Sequence, residues 1–205
     1  MVRKDTKQGK WHLNYSMKFT LLIASLLTGC GVLPNITDVS RLRVSTIAND
    51  KAIVILSTGV PDNCGQTTAL EAFPTDATYR SWNSSVTVLV ANHDVKSDFA
   101  DHRGFFHAIV LAPGAYYFAP MAMSLSGVSP IQIPRYDFSV AAGEVVYVGE
   151  YYCGPDGTIF RDQRQRDMDL LAQKNPTLAR TNIIERIPKF SGFTVLRGKN
   201  VKPSS

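Results

Sequence analysis

Ala52-Ile53-Val54-Ile55-Leu56 is an uninterrupted apolar run with β-branched side chains at its three central positions. Successive side chains of a strand point to opposite faces, so a run with no polar residue predicts a strand covered on both sides. Upstream, Leu42, Val44 and Thr46 alternate with Arg43 and Ser45, which predicts an earlier strand, and Asn49-Asp50 supplies a turn between the two. Downstream, Gly59-Val60-Pro61-Asp62-Asn63-Cys64-Gly65 reads as a turn-rich loop. Further strands are expected at 85–91, 105–111 and 115–119, the last set off by Pro113-Gly114. Residues 138–140 and 145–151 follow, joined by Ala141-Ala142-Gly143-Glu144. The proline-bearing segment 129–134 fits only a sheet edge or a connection, because proline cannot donate to the ladder. Short strands separated by turns, with no strand–helix alternation, predict a mostly β chain: an antiparallel β-sandwich-like domain with a C-terminal α-helix.

That helix is expected over 162–175. Asp162 serves as N-cap, with Gln165 three residues on at capping-box spacing. Met168, Leu171 and Ala172 share one face for packing, leaving Arg164, Arg166 and Asp169 to solvent or a partner. Pro176 disfavours helical backbone at Asn175 and so ends the helix, and Asn175-Pro176 opens a second short turn through Leu178. Residues 193–196 add a last strand, and 199–205 form a polar tail.

A second stretch, Met17-Lys18-Phe19-Thr20-Leu21-Leu22-Ile23-Ala24-Ser25-Leu26-Leu27-Thr28-Gly29-Cys30, bears on location. A lysine, a short apolar run and small residues before a cysteine make a secretory signal, too short for a stable bilayer span. Leu27-Thr28-Gly29-Cys30 looks like a bacterial lipobox, where a diacylglycerol is attached to Cys30 and the chain is cut before it. Residues 1–29 are therefore expected to be a signal peptide. Residues 1–16 are ahead of its usual form, so a mis-called start is expected, with Met17-Lys18 the more typical beginning.

Charge agrees with this division. Of the 22 Lys and Arg residues five precede Cys30, and of the 17 acids only Asp5 does, leaving 17 basic against 16 acidic residues. A chain so nearly neutral gives no electrostatic case for nucleic acid, which needs clustered Lys and Arg. Residues 30–40 form a lipidated tether spanning roughly 30 Å when extended, and 41–198 a single β-rich domain.

At Ala112-Pro113-Gly114-Ala115-Tyr116 and Phe138-Ser139-Val140-Ala141-Ala142-Gly143-Glu144-Val145-Val146-Tyr147-Val148-Gly149 the chain resembles uncharacterised β-rich lipoproteins of Gram-negative envelopes. In those, a Pro-Gly-x-Tyr turn precedes a Phe-x-Val-x-x-Gly-Glu-x-x-Tyr hairpin, then an acidic helix and a Pro-x-Leu step, here Asp162, Asp167 and Pro176-Thr177-Leu178. The resemblance covers residues 105–180, leaves 41–104 unmatched, and brings no catalytic residues with it.

Three constellations could carry chemistry. Cys64 and Cys153 remain once Cys30 is lipidated, an even pair in an oxidising compartment. A disulfide is the natural reading, the alternative being two thiols, one a nucleophile partnered by histidine. The loop Asn92-His93-Asp94-Val95-Lys96-Ser97-Asp98-Phe99-Ala100-Asp101-His102, with His107 beyond it, offers nitrogen and oxygen ligands. None of its spacings is a recognised metal site, and a solvated connection with His107 pointing out of a strand is the expectation. Tyr116, Tyr117, Phe118, Tyr136, Phe138, Tyr147, Tyr151 and Tyr152 could line a glycan or peptide cleft, but alternating aromatics in strands more often pack the core. Glu144 and Glu150, six residues apart, need not converge. No hydrolase serine elbow or phosphate loop occurs.

The sequence therefore leads to a non-enzymatic lipoprotein without cofactor or metal. It is anchored by Cys30 to the outer membrane, faces the periplasm, and serves as a structural or assembly component with an envelope protein partner. A periplasmic module binding glycan or peptide is the alternative.

Overall fold

The computed structural model describes residues 38–46, 49–61, 69–75, 85–91, 94–120 and 131–196, within a compact unit that runs from Asn35 to Ser205. The signal, Cys30, Cys64, His93 and the polar tail lie outside the described residues. The fold is mostly β, with two packed sheets and a C-terminal helix, as the strand pattern predicts.

The first sheet has the order β4-β1-β7, with two short strands on the far side of β7. Its members are β1 (Ala52–Val60), β4 (Arg103–Leu111), β7 (Val145–Gly154), β8 (Gly157–Arg161) and β9 (Ile183–Glu185). The second sheet runs β10-β6-β5-β2-β3 and is antiparallel throughout. It comprises β2 (Ala69–Pro74), β3 (Val86–Leu89), β5 (Gly114–Pro120), β6 (Ile131–Val140) and β10 (Lys189–Leu196).

β1 is buried at all of its positions. Val54 and Leu56 face the second sheet and pack with Leu70, Ile109, Phe118 and Phe138. Ile53 and Ile55 face the other way, under Leu171 and Leu178. These two leucines come from helices α1 (Arg164–Lys174) and α2 (Pro176–Ala179). The apolar run is thus the middle of three layers, sheet on sheet with helices outside, which is why neither of its faces carries a polar residue.

Several expectations are corrected. Residues 42–46 are not a strand: Val39–Arg41 and Val44–Thr46 are 3-10 turns. The Asn175 amide donates to the carbonyls of Val39 (2.8 Å) and Leu42 (2.7 Å), occupying acceptors that a strand ladder would need. The buried Val39 also places the end of the expected tether inside the domain. Gly59 and Val60 extend β1 rather than opening a loop.

The residues 141–144 do not close a hairpin. They carry the chain from β6 in one sheet to β7 in the other, with Gly143 at φ +77° and its N–H on Lys51 O at 2.8 Å. β7 then lies parallel to β1, Ile53 opposite Val145, and β9 parallel to β7. Parallel neighbours require a long crossover; between β1 and β7 it runs through strands of the second sheet instead of a helix. Pro134 sits inside β6, opposite Phe193 of β10 and beyond the last rung to β5 at Phe118–Tyr136, so its missing N–H leaves no gap in that ladder.

The helix starts slightly later than expected. Gln163 is the N-cap by geometry, while the Asp162 carboxylate accepts from Arg164 N at 2.8 Å. Gln165 reaches forward to Asp169 rather than back to a cap. Leu171 is buried and Met168 packs beside it, whereas Ala172 is exposed. Asn175 both ends α1 and caps α2, its side chain accepting from Leu178 N at 3.0 Å.

Candidate functional site: a charged cluster under the helix

A phase slip in β7 builds the site. Ile55 pairs with Tyr147 but Ser57 pairs with Glu150, so β7 carries one extra residue between those rungs. Gly149 takes φ +83° there, a backbone conformation that costs other residues steric strain. Val146, Val148, Tyr151 and Cys153 face the inter-sheet core, while Val145 and Tyr147 face the helices. The extra residue sends Glu150 out on the helix side, opposite Ser57, instead of into the core.

Glu150 is fully buried and meets three cations. Arg161 of β8 donates to Oε2 through Nε, His102 Nε2 lies 2.8 Å from Oε1, and Arg166 Nη2 of α1 lies 3.0 Å from Oε1. Burial pushes this carboxyl upward, but His102, Arg161 and Arg166 outweigh it and hold it below the usual range. Gly59 makes the space, since a Cβ there would fall 2.7 Å from the His102 ring and 2.8 Å from Glu150 Oε1.

Arg166 extends the cluster to Asp167, also fully buried, at 2.8 and 2.9 Å. Arg166 Nη2 donates to Ser57 Oγ as well, at 2.9 Å. Asp167 Oδ2 accepts from Ser57 Oγ (2.6 Å) and from Tyr147 OH (2.8 Å). Burial raises the Asp167 carboxyl despite these donors, and burial together with Asp167 raises the Tyr147 phenol. Cation–π contacts complete the walls, Arg161 over Tyr152 at 3.6 Å and Arg166 over Phe99 at 4.0 Å. Arg166 is therefore not a free surface charge, contrary to the helical-face reading, and Asp167, read from sequence only as part of an acidic helix, is a buried member of the cluster.

Among the described residues, the histidines and aspartates of the loop do not gather as ligands. Asp98 pairs with Lys174 and accepts from Phe106 N; Asp101 lies 2.8 Å from His102 Nδ1. Lys96, Ser97, Asp101, His102 and Arg103 line a surface recess of about 410 Å³. His107 does not point out of its strand. It is buried, with Nε2 2.8 Å from Leu89 O, and burial pushes it down to about 4. The Ser97 hydroxyl contacts backbone groups of its own loop and Ser57 contacts Asp167 and Arg166, so neither is set against a histidine. Glu144 does not join Glu150; it is held by Arg186 at 2.9 Å.

The aromatics divide between packing sites. Tyr116, Phe118, Tyr136, Phe138 and Tyr151 fill the inter-sheet core, Tyr147 lies under the helices, and Tyr117 stacks on Phe73 across the outer face of the second sheet. Cys153 is buried on β7.

A different apolar surface was missed. Ile159, Phe190 and Phe193 are 52, 55 and 60 % exposed. With Pro134, Tyr136 and Phe160 they border a cleft of about 740 Å³ where β8 and β10 part. Phe190 and Phe193 stand three apart yet share a face, because β10 gains a residue at Ser191 and Gly192 turns at φ +115°. Simple alternation would have put them on opposite faces.

No helix among the described residues is long and apolar enough to cross a membrane. Comparison with family models, curated proteins and solved structures finds no match to the chain.

Proposed function

We infer that this chain is a lipoprotein held by a diacylglycerol on Cys30 at the periplasmic face of the outer membrane. There its folded unit serves as an assembly or interaction component of the envelope and not as an enzyme. The lipobox-like Leu27-Thr28-Gly29-Cys30 supports the anchor. One observation carries the interaction reading: Ile159, Phe190 and Phe193 remain more than half exposed around a cleft lined by β6, β8 and β10. Contiguous apolar surface of this kind is a recurrent mark of an association site. The groups that could have formed a reactive constellation are instead engaged with one another, His102 with two carboxylates and Ser57 with Asp167.

A second reading is favoured by the aromatic lining of the same cleft. Tyr136, Phe160, Phe190 and Phe193 would suit a glycan or peptide ligand, with Asp156 and Lys189 at the rim.

Radiolabelled palmitate tests the anchor: label is expected in the wild type and absent in Cys30→Ser, and equal labelling of both would refute it. A photo-crosslinking residue in place of Phe193 tests the surface. A discrete envelope protein captured there supports the first reading. Protection from cross-linking by soluble glycan or peptide, with no protein captured, supports the second.

A further inference from the structure

The side-chain contacts that hold the connection into β4, residues 94–102, include three to charged groups of α1 and β7. Asp98 pairs with Lys174 of α1, Phe99 lies under the Arg166 guanidinium, and His102 reaches Glu150 of β7. Only the third depends on a group that titrates near neutrality. Each His102 nitrogen lies 2.8 Å from a carboxylate oxygen, Nδ1 from Asp101 and Nε2 from Glu150. Carboxylates only accept, so both contacts are attractive only while both nitrogens carry a proton. The ring is 5 % exposed and stacks on Phe99 at 4.8 Å, leaving little room to turn.

We propose that residues 94–102 form a pH-sensitive clamp: the imidazolium of His102 fastens the connection to Glu150, and loss of its proton releases it from β7. Loss of the proton removes the ionic attraction to Glu150 whichever nitrogen keeps the remaining hydrogen, because the Nε2–Oε1 contact is an ion pair without hydrogen-bond alignment. Glu150 still holds Arg161 and Arg166, so it keeps its own charge and place while the histidine loses its ionic tie. The charged and titratable groups around His102 are Asp101 and Arg103 on its own segment, Glu150 and Tyr152 on β7, Arg161 on β8, and Arg166 with its partner Asp167 on α1; from β1, Gly59 lies against the ring. Burial of the ring works against the proton, and the Glu150 and Asp101 carboxylates outweigh it, so His102 holds its proton above the ordinary histidine value. The clamp is therefore complete below about pH 6.5, the open-loop value, and is lost as pH rises through the higher closed-loop midpoint. Release uncovers Phe99 and alters the recess that His102, Asp101 and Arg103 line.

Four amides report the state of the connection: Asp98 N on Gly104 O, Phe99 N and Gly104 N on Ser97 Oγ, and Phe106 N on the Asp98 carboxylate. Imidazole ¹⁵N shifts of the labelled full chain give the His102 midpoint. Exchange of the four amides, normalised to intrinsic rates, gives closure. Protection is expected to fall across that midpoint, tenfold for every pH unit separating it from about 6.5. His102→Gln should make protection independent of pH. Asp101→Asn, at an exposed side chain, should lower the midpoint and move the loss of protection with it; this arm stands even where His102→Gln fails to fold. A midpoint at or below about 6.5, protection unchanged across the midpoint, or a loss that does not follow the midpoint in Asp101→Asn would each overturn the clamp.

Discussion

Ser57 Oγ donates to Asp167 Oδ2 at 2.6 Å, joining the centre of a sheet to a helix 110 residues later in the chain. Asp167 also receives Tyr147 and Arg166, so one fully buried carboxylate fastens α1 to two neighbouring strands. Removing Asp167 takes the acceptor from the Ser57 and Tyr147 hydroxyls and leaves Arg166 with Glu150 and Ser57 alone.

Asp167→Ala should consequently cost about 3–5 kcal/mol in urea unfolding. Arg166→Ala should cost roughly 2 kcal/mol or more, since it strips donors from Glu150, Asp167 and Ser57 together. Arg164→Ala, on a side chain 38 % exposed, should stay within about 0.5 kcal/mol. Equal, small effects at Arg164 and Arg166 would show that the cluster contributes nothing to holding the helix.

Leu171 is fully buried among Ile53, Ile55 and Leu178 on the helix side of the first sheet. Truncation to alanine should lower stability by about 2–5 kcal/mol, the range for buried leucines. A loss below about 1 kcal/mol would mean that α1 is only loosely applied to the sheet.

Gly149→Ala tests the phase slip. The added methyl would lie 2.6 Å from Arg161 O and 2.8 Å from Ile187 Cδ1, on backbone at φ +83°. A destabilisation of roughly 2 kcal/mol or more is expected from strain and clash combined. A neutral substitution would be incompatible with this bulge.

His107 sets an acid limit. Its proton is bound more weakly in the folded chain, where burial brings it down to about 4, than in the unfolded one. The stability it contributes is therefore fully present above about pH 6.5 and is lost as pH falls toward 4. The His107 C2–H resonance should titrate near 4, and unfolding free energy should decline over that window less steeply in His107→Gln. Titration near the ordinary histidine value would place the ring in solvent.

On the proposal that the chain is exported, Cys64 and Cys153 are expected to be joined. Alkylation without reductant should leave both unmodified, and two alkylated cysteines would refute the pairing. The bridge would close a long loop, so Cys153→Ala should cost about 2–5 kcal/mol.

β1, β3, β4, β5 and β7 were legible because burial and the two-residue period act locally, whereas β2, β8 and β9 were not expected. The 52–56 run announced a doubly covered strand, and Pro113-Gly114 announced the start of β5 within one residue. The charged cluster was not legible. Val145-Val146-Tyr147-Val148-Gly149-Glu150 shows no clean alternation, and only the extra residue at Gly149 decides which face receives Glu150. Arg166 looked like surface charge on its own helix because Glu150 and Ser57 come from β7 and β1, beyond any helical period. The strand expected over 42–46 failed for a related reason: the Asn175 amide that holds its backbone in turns arrives from 133 residues away.

The parallel pairing of β1 with β7 also governs the order of assembly. Ile53 waits for Val145, and the side chains that cover its outer face belong to residues 171 and 178. A chain emerging from its N-terminus therefore holds the most apolar strand of the molecule half-built until almost the last residues of the domain appear. Non-local pairing of this kind slows folding and lengthens the exposure of aggregation-prone segments. Nascent chains cut short anywhere before residue 145 should accordingly bind holdase chaperones through 52–60, and a single further stretch of chain, 145 to 178, should release them.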